Sequence, residues 1–342
     1  MNPVTSLQEL ADLAGVSRAT ASRALNDNPR ISKKTRQKLQ QLALEAGYSI
    51  NRRARDLRLK KTSIIAVVLM LDLRSKQHMS DLFFLDMLGA IADALASRDY
   101  DLLLSHTPSA DALNLADSRL KTQSDGAIFI GQERQHARLN RVAQTGHPMV
   151  VWGHAVADRD YTVVGSDNET GGYLATRQLL LAGRRRIAFF GDVINPEMGA
   201  RFAGYQRALS EYDIPFDPAL QFDVPFRMDQ ARMAVMKLIE VGIPFDAVVC
   251  SSDVLALATI GALQSAGRSV PNDIAVTGYD DIGFATHTNP PLTTVRQNIG
   301  EAGEALVNTL LRKIEGESVA DTILPAELVV RESCGSALPK NS

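Results

Sequence analysis

The chain has 342 residues, 45% hydrophobic and 22% charged, which is enough apolar material for a sizeable core and too much for a disordered chain. Its net charge of −2 hides a strong asymmetry: residues 1–61 hold 13 lysines and arginines against five acids, while the other 281 hold 24 against 34. A basic head on an acidic body points to one short module that meets a polyanion, and at about 100 to 200 residues per domain the length calls for two or three folding units.

No apolar run approaches the roughly 18 residues of a membrane span. The longest, Ile64–Leu71, has eight and reads as a buried strand. The N-terminus has neither the basic patch nor the apolar core of a secretory signal, so a cytoplasmic protein with no membrane partner is expected. Cys250 and Cys334 are too few for a disulfide framework or a zinc cluster, and neither metal nor cofactor is expected.

The first predicted helix starts at Ser6, three residues before Glu9 in a reciprocal capping box. It carries Leu10, Leu13 and Ala14 on one face and ends at Gly15. Ser17 caps a second helix with the stripe Ala21, Ala24 and Leu25, and the tight step between the two predicts a helix-turn-helix. Ser32 caps a third helix, with Leu39, Leu42, Ala43 and Ala46 at i, i+3, i+4 and i+7, closed by Gly47. In such a module the second helix enters the major groove, so Arg18, Ala19 and Arg23 face the base edges. Ser17, Thr20 and Ser22 suit phosphate contacts that fix register.

The stretch Ser6 to Asn26, SLQELADLAGVSRATASRALN, together with Ser32 to Arg36 and Gly47-Tyr48, closely resembles the DNA-binding head of the lac/galactose repressor family. The resemblance continues through Asn51, Ala54, Arg55 and Leu57, with Ile50 in place of the proline usual before the hinge asparagine and Ala21 in place of a commoner valine. It implies a hinge helix that orders on operator DNA and places Leu57 as a wedge in the minor groove. Such a wedge unstacks one base step while Arg52, Arg53, Arg55 and Arg58 hold the flanking phosphates. The expected boundaries are a head at 1–48, a hinge at 49–61 and a ligand-binding and dimerisation body at 62–342.

From Thr62 apolar runs alternate with amphipathic stretches, the signature of βαβ units. Strands are predicted at 64–69, 101–104, 126–130, 149–152, 162–165, 186–190, 247–250, 274–278 and 293–296. Helices are predicted at 84–96, 172–181, 201–212, 230–241, 254–267 and 300–315. The fold class is therefore α/β, two doubly wound parallel-sheet subdomains behind a three-helix head. Ligands of open parallel sheets bind beyond the carboxyl ends of the strands, here in a cleft between two such ends.

The same resemblance covers the body through Asp81-Leu-Phe-Phe84, Gly165-Ser-Asp-Asn168 with Gly171-Gly172, Arg201-Phe-Ala-Gly-Tyr205, Cys250-Ser-Ser-Asp253, Gly278-Tyr-Asp-Asp281 and Pro290-Pro-Leu-Thr-Thr-Val295. It implies the periplasmic sugar-binding type, with crossings near Ser166, Pro291 and Leu324. One subdomain then takes about 62–165 and 292–323, the other about 166–291 and 324–336. The implied pocket holds Phe83, Phe84, Arg201, Phe226, Ser252 and Asp280, with Ser252 where many relatives have asparagine. Asp280 and Arg201 suit a pair of vicinal hydroxyls, and an aromatic face suits a sugar ring's C–H surface. Trp152, the only tryptophan, reads equally as a cleft wall and as a core residue. The run Val150 to Asn168 is most similar to a branch that includes cellobiose and other glucoside regulators.

The sequence has no Gly-Lys pair for a P-loop and none of the H-E-x-x-H, C-x-x-C, G-x-S-x-G or G-x-G-x-x-G patterns, so no enzyme is expected. A periplasmic transport protein would share the body but would need no basic head. The expectation is a transcriptional repressor that binds a pseudo-palindromic operator as a homodimer and responds to a small sugar. A purine or sugar phosphate as effector stays open.

Overall fold

The computed structural model describes residues 4, 6–25, 28–46, 48, 61–71, 79–106, 120–132 and 135–335. The expected hinge contacts Asn51, Arg52, Ala54, Arg55, Leu57 and Arg58, and the helix-closing Gly47, lie outside the described residues. The chain divides into two units, 1–62 and 63–342.

In the first unit α1 (Leu7–Ala14), α2 (Arg18–Leu25) and α3 (Lys33–Glu45) pack around Ala11, Ala21, Ala24 and Leu39, and Leu10 is also buried. The caps are those the sequence predicts: the Glu9 N–H donates to Ser6 Oγ, and the Thr35 N–H to Ser32 Oγ. Gly15 ends α1 at φ +69°, a left-handed conformation that costs glycine little. The expected face of α1 is displaced, because Leu13 is 54% exposed and Ala11 takes its place in the core. Positions 7, 10, 11 and 14 form the i, i+3, i+4, i+7 stripe, and position 13 falls beside it.

The second unit holds two parallel sheets. The larger has six strands in the order β11-β5-β4-β3-β1-β2, from β1 (Ile64–Leu69), β2 (Asp101–His106), β3 (Gly126–Ile130), β4 (Met149–Trp152), β5 (Thr162–Ser166) and β11 (Thr322–Leu324). The smaller has four in the order β7-β6-β8-β9, from β6 (Ile187–Phe190), β7 (Gln221–Phe222), β8 (Ala247–Cys250) and β9 (Ala275–Thr277). β1, β3, β4, β6 and β8 are continuously apolar because helices cover both faces.

Around the larger sheet, α4 (Leu82–Ala96) and α10 (Ile299–Ile314) pack on one face and α5 (His136–Gln144) on the other. Around the smaller, α6 (Asn168–Leu181) and α7 (Pro196–Glu211) oppose α8 (Met228–Val241) and α9 (Asp253–Ser265). The sequence reading missed α5, with only Leu139 and Val142 to mark its buried face, and the short strands β7, β11 and β12 (Ala326–Val329).

The chain passes from β5 into α6, from β10 (Thr294–Gln297) into α10 and from β11 into β12. β10 pairs with β12 and bridges the smaller sheet at Thr277–Thr293 and Asp280–Arg296. Residues 292–297 therefore run with the smaller sheet, and the second crossing follows Gln297 instead of falling near Pro291. Among the described residues no helix is long and apolar enough to cross a membrane.

Candidate functional site

On the head, the core takes Ala21 and Ala24 of α2 and leaves Arg18, Ala19 and Arg23 exposed, with Thr20 and Ser22 half-buried. Ser17 stands at the start of the helix, where its Oγ accepts the Thr20 N–H at 3.1 Å and pairs with Thr20 Oγ1 at 2.9 Å. The two arginines are five residues apart on a helix held by a cap at one end and by its alanines along one side. Such a helix can present guanidinium groups to a groove without disturbing the core.

In the body, one cleft of about 810 Å³, open to solvent in part, lies beyond the strand ends of the two sheets. Phe83, Phe84, Trp152, Arg201, Phe226, Ser252 and Asp280 all line it. The strands aim these residues there: Trp152 ends β4, Ser252 follows β8, Asp280 follows β9, and Arg201 lies on the helix after β6. Trp152 answers to both of its expected readings. It is 5% exposed, packs into the core cluster of the larger sheet and still presents a surface to the cleft.

Arg201 is 5% exposed and is held through its Nε and Nη1. Its Nε donates to Asn168 Oδ1 at 2.8 Å, its Nη1 donates to the Ser251 carbonyl, and its guanidinium lies over the Tyr279 ring with Cζ 3.5 Å from the centroid. Asp280 Oδ1 lies 3.9 Å from Arg201 Nη1 and accepts from Gln297 Nε2 at 2.7 Å. Two close approaches make this possible. A Cβ on Gly172 would stand 2.0 Å from the Arg201 carbonyl oxygen, and one on Gly204 would stand 2.0 Å from that of Glu169. Only glycine lets α6 and α7 cross closely enough for Asn168 to reach Arg201.

Asp280 sits at φ +117°, a conformation L residues rarely adopt, and its N–H donates to the Val295 carbonyl at 2.8 Å. That geometry separates it from Asp281, whose carboxylate pairs with Arg296 at 2.8 Å and Arg331 at 2.6 Å. The two adjacent acids therefore serve different purposes. Burial pushes the Asp280 pKa up to about 6, with Arg201 and Gln297 working against it. Asp253, buried behind it, is also raised, first by burial and then by Asp280; its carboxylate accepts from Thr294 Oγ1 and the Ile282 N–H.

Ser252 caps α9, its Oγ accepting the Leu255 N–H at 3.3 Å. The hydroxyl oxygen is committed to the helix, and its proton can still be donated into the cleft. The structure also brings Asn168, Asn195, Glu197, Met198 and Gln297 to the cleft, which the sequence reading did not assign. Asn195-Pro196-Glu197 looks like an ordinary helix start, and Asn195 does cap α7 by accepting the Glu197 N–H. The available signal was spacing, since Glu197 and Met198 precede Arg201 by four and three residues and share its helix face.

The family model described as "Bacterial regulatory proteins, lacI family" matches residues 6–51, and the one described as "Periplasmic binding protein-like domain" matches 176–334. The HTH-type transcriptional regulator CelR of Thermobifida fusca is 31% identical over 334 residues, covering 96% of this chain and 98% of its own. A solved structure of a transcriptional regulator CelR–cellobiose complex is 30% identical, covers 96% of this chain and 99% of its own, and has a TM-score of 0.74. The lac repressor dimer bound to operator and the anti-inducer ONPF is 25% identical, covers 97% and 99%, and has a TM-score of 0.81.

Proposed function

The chain belongs to the lacI family of bacterial regulatory proteins, and from that membership we propose that it is a transcriptional repressor whose grip on operator DNA is set by a neutral sugar in the cleft. The head reads a pseudo-palindromic operator as part of a homodimer, with Arg18 and Arg23 on base edges and Ser17, Thr20 and Ser22 on phosphates. The hinge residues Asn51 to Arg58 add minor-groove and phosphate contacts. Likeness to a repressor dimer bound to operator and to a regulator complexed with cellobiose supports both halves of this reading.

One observation carries it: a single chain holds a helix-turn-helix with exposed arginines and a cleft that sets the Arg201–Asp280 pair among aromatic walls. The rings of Phe83, Phe84, Trp152 and Phe226 suit the C–H face of a pyranose, and the polar pair suits its vicinal hydroxyls. Sugar favours one arrangement of the two halves of the body over another, and only one of these lets both heads of a dimer engage their half-sites. Affinities for sugar and operator are then reciprocally coupled.

The test is to select duplexes from a random pool with the purified chain and follow the winner by fluorescence anisotropy with and without cellobiose and related glucosides. The expected result is a two-fold-related site whose affinity shifts with one of these sugars. Recovery of no preferred sequence would overturn the operator reading. A shift caused only by a purine or a sugar phosphate would overturn the effector.

A further inference from the structure

Glu197 brings to the cleft a carboxylate that the Arg201–Asp280 pair does not use. It lies in the first turn of α7, lines the cleft and is only 9% exposed. Capping of that helix falls to Asn195, so the Glu197 side chain has no part in it. Its Oε2 is buried and has no hydrogen-bond partner. A buried acceptor left without a donor costs free energy that a donor arriving with a ligand would return.

The surroundings define what that ligand can be. Among the described residues lining the cleft, the acids Asp81, Glu197 and Asp280 face a single cation, Arg201, whose guanidinium already serves Asn168 and the Ser251 carbonyl. A phosphate or carboxylate entering here meets like charge from the buried Glu197 and from Asp280. A hydroxyl meets an open acceptor.

We propose that Glu197 is a specificity-determining residue of the cleft: its carboxylate accepts a hydroxyl of a neutral sugar and rejects sugars that carry a carboxylate or a phosphate. This rests on the sugar-effector reading above. Burial raises the Glu197 pKa, which its own N–H, Arg201 and the Gln132 N–H oppose, and a donated ligand hydroxyl favours the ionised form in the same way.

The experiment is calorimetric titration of the full-length chain and its Glu197→Gln variant with cellobiose, glucose, glucuronic acid and glucose 6-phosphate. The wild type should bind a neutral sugar and neither anion. Glu197→Gln should lose about tenfold or more in neutral-sugar affinity, the loss of one hydrogen bond to a charged group. It should also narrow the neutral-over-anion preference, while its unliganded melting temperature and operator affinity stay at wild-type values. A lowered melting temperature with equal losses for every ligand would make Glu197 merely structural and overturn the proposal. Unchanged neutral-sugar affinity in the variant would overturn it while leaving the sugar reading intact. Wild-type binding of an anion alone, or of none of the four, would overturn both.

Discussion

The two proposed recognition surfaces hold arginine in opposite settings. Arg18 and Arg23 stand exposed on α2, whereas Arg201 is buried, bonded to Asn168 and the Ser251 carbonyl, and stacked on Tyr279. An exposed guanidinium keeps its hydration until it meets a polyanion and displaces that polyanion's condensed counterions, which makes binding long-ranged and sensitive to salt. A buried one must be fixed in advance, and it then gives direction in place of reach. The head can therefore rest on a core as small as Ala11, Ala21, Ala24 and Leu39, while the cleft needs two sheets and a close helix crossing behind it.

The widest separation between the two surfaces should come from salt. With six to ten phosphate contacts, operator affinity should fall about 10³- to 10⁵-fold between 50 and 200 mM salt, and sugar affinity should barely change. Parallel anisotropy and Trp152 fluorescence titrations check this, the latter because the sole tryptophan lines the cleft. An equally steep salt dependence for sugar would erase the contrast.

Arg201→Ala should cost about 3–5 kcal/mol of stability, the cost of breaking a buried charge network, along with sugar binding; chemical denaturation measures the first. Arg18→Ala and Arg23→Ala should leave stability unchanged and cost about 1–3 kcal/mol each on the operator through lost bidentate contacts. Equal losses on operator and random DNA would show that these side chains touch phosphates only.

The smallest effect expected is that of pH on the cleft. On the proposed sugar reading, Asp280 would accept hydroxyls as a carboxylate, a form present above about pH 6 and lost as the pH falls through that value. Sugar affinity should drop by up to about tenfold one unit below it, which calorimetric titrations of the wild type at stepped pH would show. The same raised pKa makes the native state bind the extra proton, so ionising Asp280 lowers stability as pH rises from its ordinary value near 3.8 to about 6.

Most of this architecture was legible because it is local. Ser6 and Ser32 cap the helices the sequence assigns to them, and the apolar runs at 64–69, 126–130, 149–152 and 247–250 are strands with the predicted bounds. Elements held by tertiary pairing alone were not legible. β11 and β12 are three and four residues long and exist because β5 and β10 lie beside them. At the cleft, residues within distinctive motifs, such as Arg201 and Asp280, stood out, while Glu197 and Asn195 were concealed in a helix start and Gln297 at a strand end. Leu13 shows the converse, an apolar residue read as core that a rotation of one position leaves in solvent.

A thermal-shift screen of the wild-type chain against neutral mono- and disaccharides, sugar phosphates and purines would show which class of effector the cleft takes. A ligand that binds the native state at 100 times its dissociation constant adds about 2.7 kcal/mol of stability. The sugar-effector reading requires a rise in melting temperature with a neutral glucoside, and no such rise in Asp280→Asn. A rise with a purine or phosphosugar and with no neutral sugar would contradict it.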